Sequence, residues 1–159
     1  MTNQDRTTTV AADQRGQREM NRTMVEQLRA RDPEPYQDRR PVARVINVVG
    51  RRSGASRPFP VNVTAIDGRL YVCSATRARD WVRNLLAAGQ CRVERDGPDA
   101  CDTERRPVLV DGHEAAAALA IYLPQAGYRD PLLPFELDAS LDEIERHVDQ
   151  VAVLRLDLH

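Results

Sequence analysis

Three arginines on and beside a short turn are the residues of this chain best suited to holding a ligand. The turn runs Gly50-Arg51-Arg52-Ser53-Gly54, and Arg57 follows it closely. Each guanidinium group is a planar fork of N–H donors whose geometry matches phosphate and carboxylate groups. Glycine allows a tight turn and a close approach of the backbone to a ligand. Two interpretations stay open on these residues alone: an anion-binding turn, and a solvated hairpin whose arginines contact only water.

The sequence gives little support for other kinds of catalytic or metal-binding site. The histidines His113, His147 and His159 show no metal-ligand spacing, so no metal site is expected. The chain contains no GxSxG or GxGxxG motif, which disfavours a serine hydrolase and a Rossmann-type enzyme. All 23 basic residues are arginine, so a lysine Schiff base and a P-loop lysine are excluded. The chemistry must therefore come from a bound cofactor or from the shape of a pocket.

Composition narrows the range of partners. The formal net charge is -1 at pH 7, which argues against a nucleic-acid-binding protein. A site built on a cofactor or a pocket is instead expected to take a small-molecule substrate. Cys73, Cys91 and Cys101 lack CxxC spacing, which predicts neither a disulfide framework nor a zinc site. No apolar run is long enough to span a membrane, and the N-terminal segment is polar. We therefore expect a cytoplasmic protein without a membrane span.

Apolar, β-branched runs place the arginine turn between two strands. The pattern predicts strands at 42–49 and 59–66, and Asp67-Gly68 then indicates a hairpin into a third strand at 69–74. A helix is predicted at 80–88, with Asp80 as its N-cap and Gly89 as its C-cap. The remaining predicted elements are strands at 91–95, 107–111 and 151–158, and helices at 114–123 and 141–147.

Three regions follow from these elements. Residues 1–14 are polar and are predicted to form a disordered tail. Residues 15–38 are predicted to form a helix and a linker, because the helical pattern stops before the prolines at 33 and 35. Met20 and Met24 share one face of that helix, where they would serve either as packing residues or as a flexible lid over a ligand. Residues 39–159 are predicted to form one α+β domain, a small barrel with peripheral helices.

The arginine turn and the helix that follows the third strand together resemble a known family. The helix segment is Trp81-Val82-Arg83-Asn84-Leu85. Deazaflavin-dependent nitroreductases typically carry Gly-Arg-(Arg/Lys)-(Ser/Thr)-Gly between two strands, and later a helix written Trp-x-x-Asn-Leu. Both parts match here in order and at about the usual distance, and the similarity covers residues 42–95 well. It thins over 105–158, where only the strand-helix-loop-strand plan continues.

This resemblance implies a fold, a cofactor and a set of site residues. It implies a split β-barrel of about six mostly antiparallel strands with two to four peripheral helices, which forms a homodimer and binds the deazaflavin F420. The acidic phospholactyl-glutamyl tail would lie on the arginine turn, and the ring would lie against the second and third strands. The implied cofactor-binding residues are Arg51, Arg52, Ser53, Gly54, Arg57, Pro60, Val61, Ser74, Ala75 and Thr76. The implied substrate pocket is lined by Met20, Met24, Tyr128 and Phe135, whereas Trp81, Asn84 and Leu85 would pack the helix that closes the barrel.

The sequence departs from the family pattern at two places, one in the late loop that places the substrate and one in the segment that approaches the cofactor ring. Tyr128 falls where a substrate-orienting tyrosine would lie, but Pro131 stands where a second tyrosine often occurs. The segment 76–80 contains no glycine, although the family often has a glycine-rich segment there. Its Arg77 and Arg79 would supply further charge to the cofactor tail or to an acidic substrate.

Two hypotheses follow. The first is an F420H2-dependent reductase of specialised metabolism, which transfers a hydride to an electron-poor C=C, C=N or nitro group while Tyr128 donates a proton or orients the substrate. The second is a split-barrel protein with a changed cofactor, FMN or haem, or a cofactor-free isomerase or cyclase that acts on a small-molecule metabolite. A structural or interaction protein is the third class, and no feature of the sequence supports it.

Overall fold

The computed structural model describes residues 3–159 of the chain, and the side chains from residue 14 onward. The helices are α1 (Asn3–Ala30), α2 (Asp80–Ala88), α3 (Gly112–Tyr122) and α4 (Leu141–Arg146), with short 3-10 turns at Pro98–Ala100 and Leu123–Gln125. The strands are β1 (Pro41–Val49), β2 (Ser56–Ile66), β3 (Arg69–Ser74), β4 (Cys91–Val93), β5 (Thr103–Val110) and β6 (Ala152–Leu158).

Within the described residues, six strands form a closed barrel in the order β1-β2-β3-β6-β5-β4. Every pair of neighbouring strands is antiparallel. Four helices surround this barrel in the same part of the chain. The predicted α+β split barrel with about six antiparallel strands and peripheral helices is therefore confirmed.

Two apolar cores hold the strands and helices together. The interior core combines alternate strand residues such as Ile46 with Val82 and Leu85 of α2, so α2 covers one end of the barrel. The second core lies on the outer face of β3, β5 and β6, where Leu119 of α3 and Ile144 of α4 are buried. Helix α2 is thus fixed to the barrel interior, and α3 and α4 cover its outside.

Two seams of the barrel are only partly paired. Strand β1 pairs with β4 only at Ile46 and Asn47, and the second such seam lies between β2 and β3. Strand β2 pairs with β1 from Ser56 to Thr64, but it pairs with β3 only over the three residues Thr64–Ile66. Beyond that point β3 continues up to Ser74 with β6 as its partner. Proline is tolerated in a sheet where its missing N–H faces an unpaired edge, and Pro58 and Pro60 lie on this edge of β2. We call the gap between residues 58–63 of β2 and 72–74 of β3 the open seam.

Helix α1 is attached to the barrel at its C-terminal end. Val25 and Leu28 pack against Val45 of β1 in a small apolar cluster. The guanidinium group of Arg95, which follows β4, donates to the carbonyl oxygens of Leu28 and of Arg31, the latter at 2.7 Å. The last carbonyls of a helix have no partner within the helix, so Arg95 supplies the donors they need.

A second polar contact holds the same end of α1. Arg29 Nε donates to Glu94 Oε1 at 2.9 Å, and Arg29 Nη2 donates to Glu94 Oε2 at 2.6 Å. Asn47 Nδ2 of β1 also donates to Glu94 Oε2, at 2.6 Å. The Arg29 hydrogen bond lowers the pKa of Glu94 below its ordinary value against the opposing effect of burial, and Asn47 lowers it further.

The backbone of α1 is helical from Asn3, whereas the sequence predicts a helix from residue 15 and disorder before it. Residues 1 and 2 and the side chains of residues 3–13 lie outside the described part of the chain. The predicted division into a tail, a helix with linker and a barrel domain therefore stays a prediction.

After α1, the element boundaries agree with the predicted ones within two residues except at the starts of β2 and β5, and β5 begins at Thr103 rather than at residue 107. Strand β2 begins at Ser56 rather than at residue 59, because β1 pairs with it across the prolines. Asp80 is the first residue of α2 rather than its N-cap, and its carboxylate contacts Arg51 instead. Gly89 is the C-cap of α2, as predicted, with φ of 67°. Among the helices of the described chain, none combines the length and the apolar character needed to cross a bilayer.

Candidate functional site

The arginine turn is closed by its own backbone. Gly50 N–H donates to Ala55 O at 2.8 Å, and Gly54 N–H donates to Gly50 O at 2.9 Å. Gly54 has φ of +69°, a left-handed conformation that favours glycine, and a Cβ on Gly50 would lie 3.0 Å from Ser53 Oγ and 3.2 Å from Arg57 Nε. The shape of the turn therefore requires glycine at 54, whereas a side chain at 50 would have to displace the side chains of Ser53 and Arg57.

Arg51 fastens the turn to α2. Its backbone N–H and its Nη1 both donate to Asn84 Oδ1, at 3.1 Å and 2.9 Å. Its Nη2 donates to Asp80 Oδ1 at 3.2 Å. Asn84 is 8% exposed, and Trp81, one turn earlier on α2, stacks on Phe59 of β2 with ring centroids 5.3 Å apart. The two sequence motifs are therefore in direct contact, and Arg51 has protein partners where the resemblance gave it a cofactor.

Arg52 and Arg57 are exposed and have different surroundings. Arg57 Nη2 makes a long contact of 3.4 Å with Ser53 Oγ, which also accepts from Ala55 N–H at 3.2 Å. In the described part of the chain, neither arginine has a carboxylate partner, and the backbone N–H groups of Arg52 and Ser53 have no acceptor. The turn and the residue beside it thus offer two exposed guanidinium groups and two amide donors, a set that suits an anion with several oxygen atoms.

Two hydrogen-bonded polar side chains, those of Asn62 and Tyr122, lie at the open seam. Asn62 Nδ2 on β2 donates to Tyr122 Oη, which comes from the end of α3, at 3.4 Å. Burial raises the pKa of Tyr122, Asn62 opposes this, and the nearby Cys73 and Tyr128 raise it further. The Tyr122 phenol is therefore protonated at neutral pH and can donate a hydrogen bond or a proton.

The structure places Pro60 and Val61 on opposite faces of β2. Val61 packs against the interior core, while Pro60 lies on the same face as Asn62 because side chains alternate along a strand. Of these two predicted ring-contacting residues, only Pro60 has its side chain on the outer face.

The predicted stretch 74–76 begins at the last residue of β3. Ser74 Oγ donates to Thr76 O at 2.7 Å, and Thr76 Oγ1 accepts from Ala78 N–H at 3.2 Å. Ala75 is half-buried against the second core. These residues lie beside the open seam, but the two hydroxyl groups are engaged in shaping their own loop.

The glycine-free segment 76–80 is held by its arginines. Arg77 Nε donates to Val151 O at 2.7 Å, and Arg77 Nη2 donates to Val148 O at 3.2 Å. Arg79 forms an ion pair with Asp130, in the loop that carries Tyr128. Both arginines therefore have protein partners, and neither lies in the arginine turn.

The residues predicted to line the substrate pocket differ in their exposure to solvent. Met20, Met24 and Tyr128 are 59%, 45% and 69% exposed. Phe135 is 3% exposed and lies in the second core, with its ring centroid 6.3 Å from that of His147. The structure does not bring Phe135 to an open surface, and its surroundings give it a packing role.

An open concavity of about 460 Å³ lies across β1, β4 and β5, on the other side of β1 from the seam. Glu94, Asp102 and Glu104 are among the residues that line it. Arg92 lines it as well, but Arg92 already pairs with Glu104, so no unpaired cation remains among the described residues that line it to bind the anionic tail that the resemblance implies. Among the described residues, no group of three potential metal ligands lies together.

The donors of the arginine turn do fit the anionic tail of F420. Arg52, Arg57 and the two amide N–H groups carry no protein anion within the described chain, so they can hold phosphate and carboxylate oxygens. The outer face at the seam, with Pro60, Asn62 and Tyr122, is one of two places near the turn that strand pairing leaves open. The other lies beside Val48 and Val49 of β1, where the concavity is.

The sequence patterns do not indicate Asn62 and Tyr122 as site residues. Asn62 alternates with apolar residues on a strand, and Tyr122 ends an alanine-rich helix, so neither stands in a motif. The sequence does contain one indication of the open seam, the presence of both Pro58 and Pro60 in one strand. Proline has no N–H group to donate to a neighbouring strand, so two prolines predict that one edge of this strand is left unpaired.

No family model matches this chain, and no curated protein matches it. The solved structures to which this chain is similar include the following three. A candidate 5-nitroimidazole antibiotic resistance protein from Bacteroides thetaiotaomicron is 15% identical, with 72% of this chain and 70% of that chain covered and a TM-score of 0.48. An F420 reductase is 18% identical over 79% of this chain and 94% of its own, with a TM-score of 0.44. An FAD- and haem-binding protein from Mycobacterium smegmatis is 15% identical over 74% and 60%, with a TM-score of 0.41. At these TM-scores the similarity assigns no function to this chain.

Proposed function

We propose that the protein is an F420H2-dependent reductase, which acts on an electron-poor C=C, C=N or nitro group of a small molecule. The arrangement of the arginine turn is the observation that supports this most. Arg51 is occupied in fastening the turn to Asn84, so Arg52 and Arg57 remain to bind the anionic cofactor tail. The resemblance of residues 42–95 to deazaflavin-dependent nitroreductases supplies the identity of that tail.

Each part of the site has one task in this proposal. Bound F420H2 would supply the hydride. The arginine turn binds the tail, and the outer face of the open seam at Pro60 orients the ring system. Tyr122 Oη, protonated and contacted by Asn62, holds the proton that the reduced substrate needs, and the exposed Tyr128 orients the substrate beside it.

The loop at 76–80 gives the seam a fixed wall. Arg77 binds two backbone carbonyls, and Arg79 pairs with Asp130, so the loop and the segment with Tyr128 are held together. A preformed site lowers the entropy lost when a ligand binds. Met20 and Met24 of α1 would exclude water from the substrate end.

Turnover tests the proposal. Purified protein is mixed with F420H2 and a nitroaromatic or an enone, and oxidation is followed by recovery of F420 absorbance. Tyr122→Phe removes only the Oη atom and is expected to lower kcat at least tenfold with unchanged F420 affinity, since general acid catalysis contributes about a hundredfold or more. Tyr128→Phe should raise KM more than it lowers kcat. Arg83→Ala, an exposed change on α2, is the control and should leave both constants unchanged.

A changed cofactor is the second candidate. The absence of glycine from residues 76–80 favours it, because a loop without glycine approaches a flat ring less closely. FMN or haem would be visible in the absorption spectrum of the protein as purified. A flavin or haem spectrum, together with no oxidation of F420H2 by any acceptor, would contradict the F420 proposal and support the second candidate.

A further inference from the structure

The loop between α3 and α4 contains an exposed segment between two buried leucines. Leu123 and Leu133 both belong to the second core. None of the residues 126–132 between them is buried, and none belongs to an apolar cluster of the described chain. We call residues 126–132 the strap. Because the strap buries no apolar side chain, its position depends on polar contacts.

One ion pair joins the strap to the start of α2. Arg79 Nη2 donates to Asp130 Oδ2, and both residues are half-buried. Within the described chain, the other side-chain hydrogen bonds of the strap stay inside the α3–α4 loop. Arg129 Nη2 donates to Leu133 O at 2.9 Å, and Arg129 Nε donates to Phe135 O at 3.3 Å. The contact of Asp130 with Arg79 is therefore the polar attachment of the strap to the barrel domain.

Asp130 also orders the strap itself. Its Oδ1 accepts from Leu132 N–H at 3.0 Å, and its backbone oxygen accepts from Leu133 N–H at 3.0 Å. One carboxylate group thus binds the strap backbone with one oxygen and the Arg79 guanidinium group with the other. Loss of the Arg79 contact would free the same side chain that orders the strap.

The strap carries Tyr128, two residues before Asp130. The Tyr128 side chain is exposed, and Tyr128 is one of the groups that raise the pKa of the nearby Tyr122. Tyr122 itself lies at the open seam, where Asn62 contacts it. The position of Tyr128 relative to the seam therefore depends on where the strap is held.

Two consecutive residues contact the two parts of the proposed site. Arg79 contacts the strap, and Asp80 Oδ1 accepts from Arg51 Nη2 of the arginine turn at 3.2 Å. Arg79 is the N-cap residue of α2, but its side chain makes no capping hydrogen bond. A change of the Arg79 side chain should therefore remove the contact with Asp130 and leave the start of the helix intact.

We propose that Arg79 and Asp130 are positioning residues, whose ion pair holds the strap so that Tyr128 is kept near Tyr122 at the open seam. A strap that is already held has less freedom to lose when a substrate binds, so the pair lowers KM. This effect on the substrate rests on the proposed reductase function, in which Tyr128 orients the substrate. The placement of the strap does not depend on that function.

Amide exchange with solvent, measured by NMR on the cofactor-free full chain, tests the placement. Arg79→Met keeps a long unbranched side chain without the cation. The amides of Leu132 and Leu133 should then exchange about two- to fivefold faster, as expected for loss of a half-exposed ion pair. Arg79→Lys keeps a cation and should restore part of the protection, and the matched control Arg83→Met on α2 should exchange as wild type does. Equal exchange in Arg79→Met and wild type overturns the proposal.

Fluorine NMR of protein labelled with 3-fluorotyrosine reports on Tyr128 directly. The Tyr128 signal is assigned by its absence from Tyr128→Phe. It should move towards the shift of free fluorotyrosine in Arg79→Met and in Asp130→Asn, which keeps an oxygen acceptor for Leu132 N–H but lacks the charge. The second variant keeps the test decisive if the first does not fold. An unmoved Tyr128 signal overturns the proposal.

A double-mutant cycle separates positioning from a general loss of stability. With F420H2 and a nitroaromatic acceptor, Arg79→Met should raise KM about two- to fivefold and change kcat little. In the Tyr128→Phe background it should cause no further rise, because the phenol that it positions is absent. The same rise in both backgrounds overturns the positioning role. Wild type that oxidises F420H2 with no acceptor contradicts the proposed function instead, and the two NMR measurements still decide how the strap is held.

Discussion

The three arginines on and beside the turn have three different roles in the structure. Arg51 is bound by Asn84 and Asp80, Arg57 packs across Gly50 beside Ser53, and Arg52 is exposed. Their order along the chain does not reveal this division, because Asn84 lies 33 residues away and reaches Arg51 only once α2 has closed the barrel. The sequence predicts that the turn can bind an anion, but not which arginines remain to do so.

Removing the Asn84 side chain should loosen the turn. Asn84→Ala leaves the Arg51 backbone N–H and Nη1 without their shared acceptor, so we expect the free energy of unfolding to fall by about 1–3 kcal/mol. Asn84→Asp keeps an acceptor at the same place and should lose less. Urea denaturation measures both variants, with the exposed Arg83→Ala as a control expected within about 0.5 kcal/mol of wild type. Equal stability of Asn84→Ala and Arg83→Ala would show that Asn84 does not hold the turn.

At the scale of elements, the attachment of α1 depends on charge as well as on apolar contact. The Arg29 hydrogen bond, with Asn47, lowers the pKa of Glu94. A carboxylate with a lowered folded-state pKa stabilises the protein above its unfolded-state pKa, and this stabilisation is lost as the pH falls through the lowered value. The end of α1 should therefore become less stable below the ordinary glutamate pKa, which is about 4.3.

Glu94→Gln tests this pH dependence. The variant cannot ionise, so its melting temperature should lie below that of wild type at pH 7, and the difference should shrink as the pH falls to about 3. Glu104→Gln is a matched control, because Glu104 pairs with Arg92 at an exposed surface, where such pairs contribute little. Differential scanning calorimetry across this range measures both. A Glu94→Gln difference that is constant with pH would refute the role given to this carboxylate.

The open seam is the element-scale feature that the sequence predicts only in part. Alternation and the Asp67-Gly68 turn place β2 and β3 next to each other, and the structure pairs them only near that turn. Two prolines indicate where β2 could not be paired on both sides. The position of Tyr122 against Asn62 could not be predicted, since it depends on how α3 packs over the sheet.

At the scale of the whole molecule, local patterns predict most of the architecture. Apolar periodicity, hairpin residues and helix caps locate the barrel strands and α2 to within a few residues, since these signals are local. The closure of the barrel, the second core that buries Phe135 and the polar attachment of α1 depend on contacts between distant segments. A homodimer and a cytoplasmic location remain expectations from the resemblance and from composition. Sedimentation of the purified chain would measure the first of these.

The claim on which the functional account depends is that Arg52 and Arg57 hold the anionic tail of F420. Each charge-assisted hydrogen bond contributes about 1.5–3 kcal/mol, and about 1.4 kcal/mol corresponds to a tenfold change in Kd. The direct measurement is a titration of F420 by quenching of its fluorescence, with wild type, Arg52→Ala/Arg57→Ala and the control Arg83→Ala. We predict binding at micromolar F420 for wild type and the control, and a Kd at least a hundredfold weaker for the double variant. No binding by wild type at micromolar F420, or an unchanged Kd in the double variant, would contradict the account.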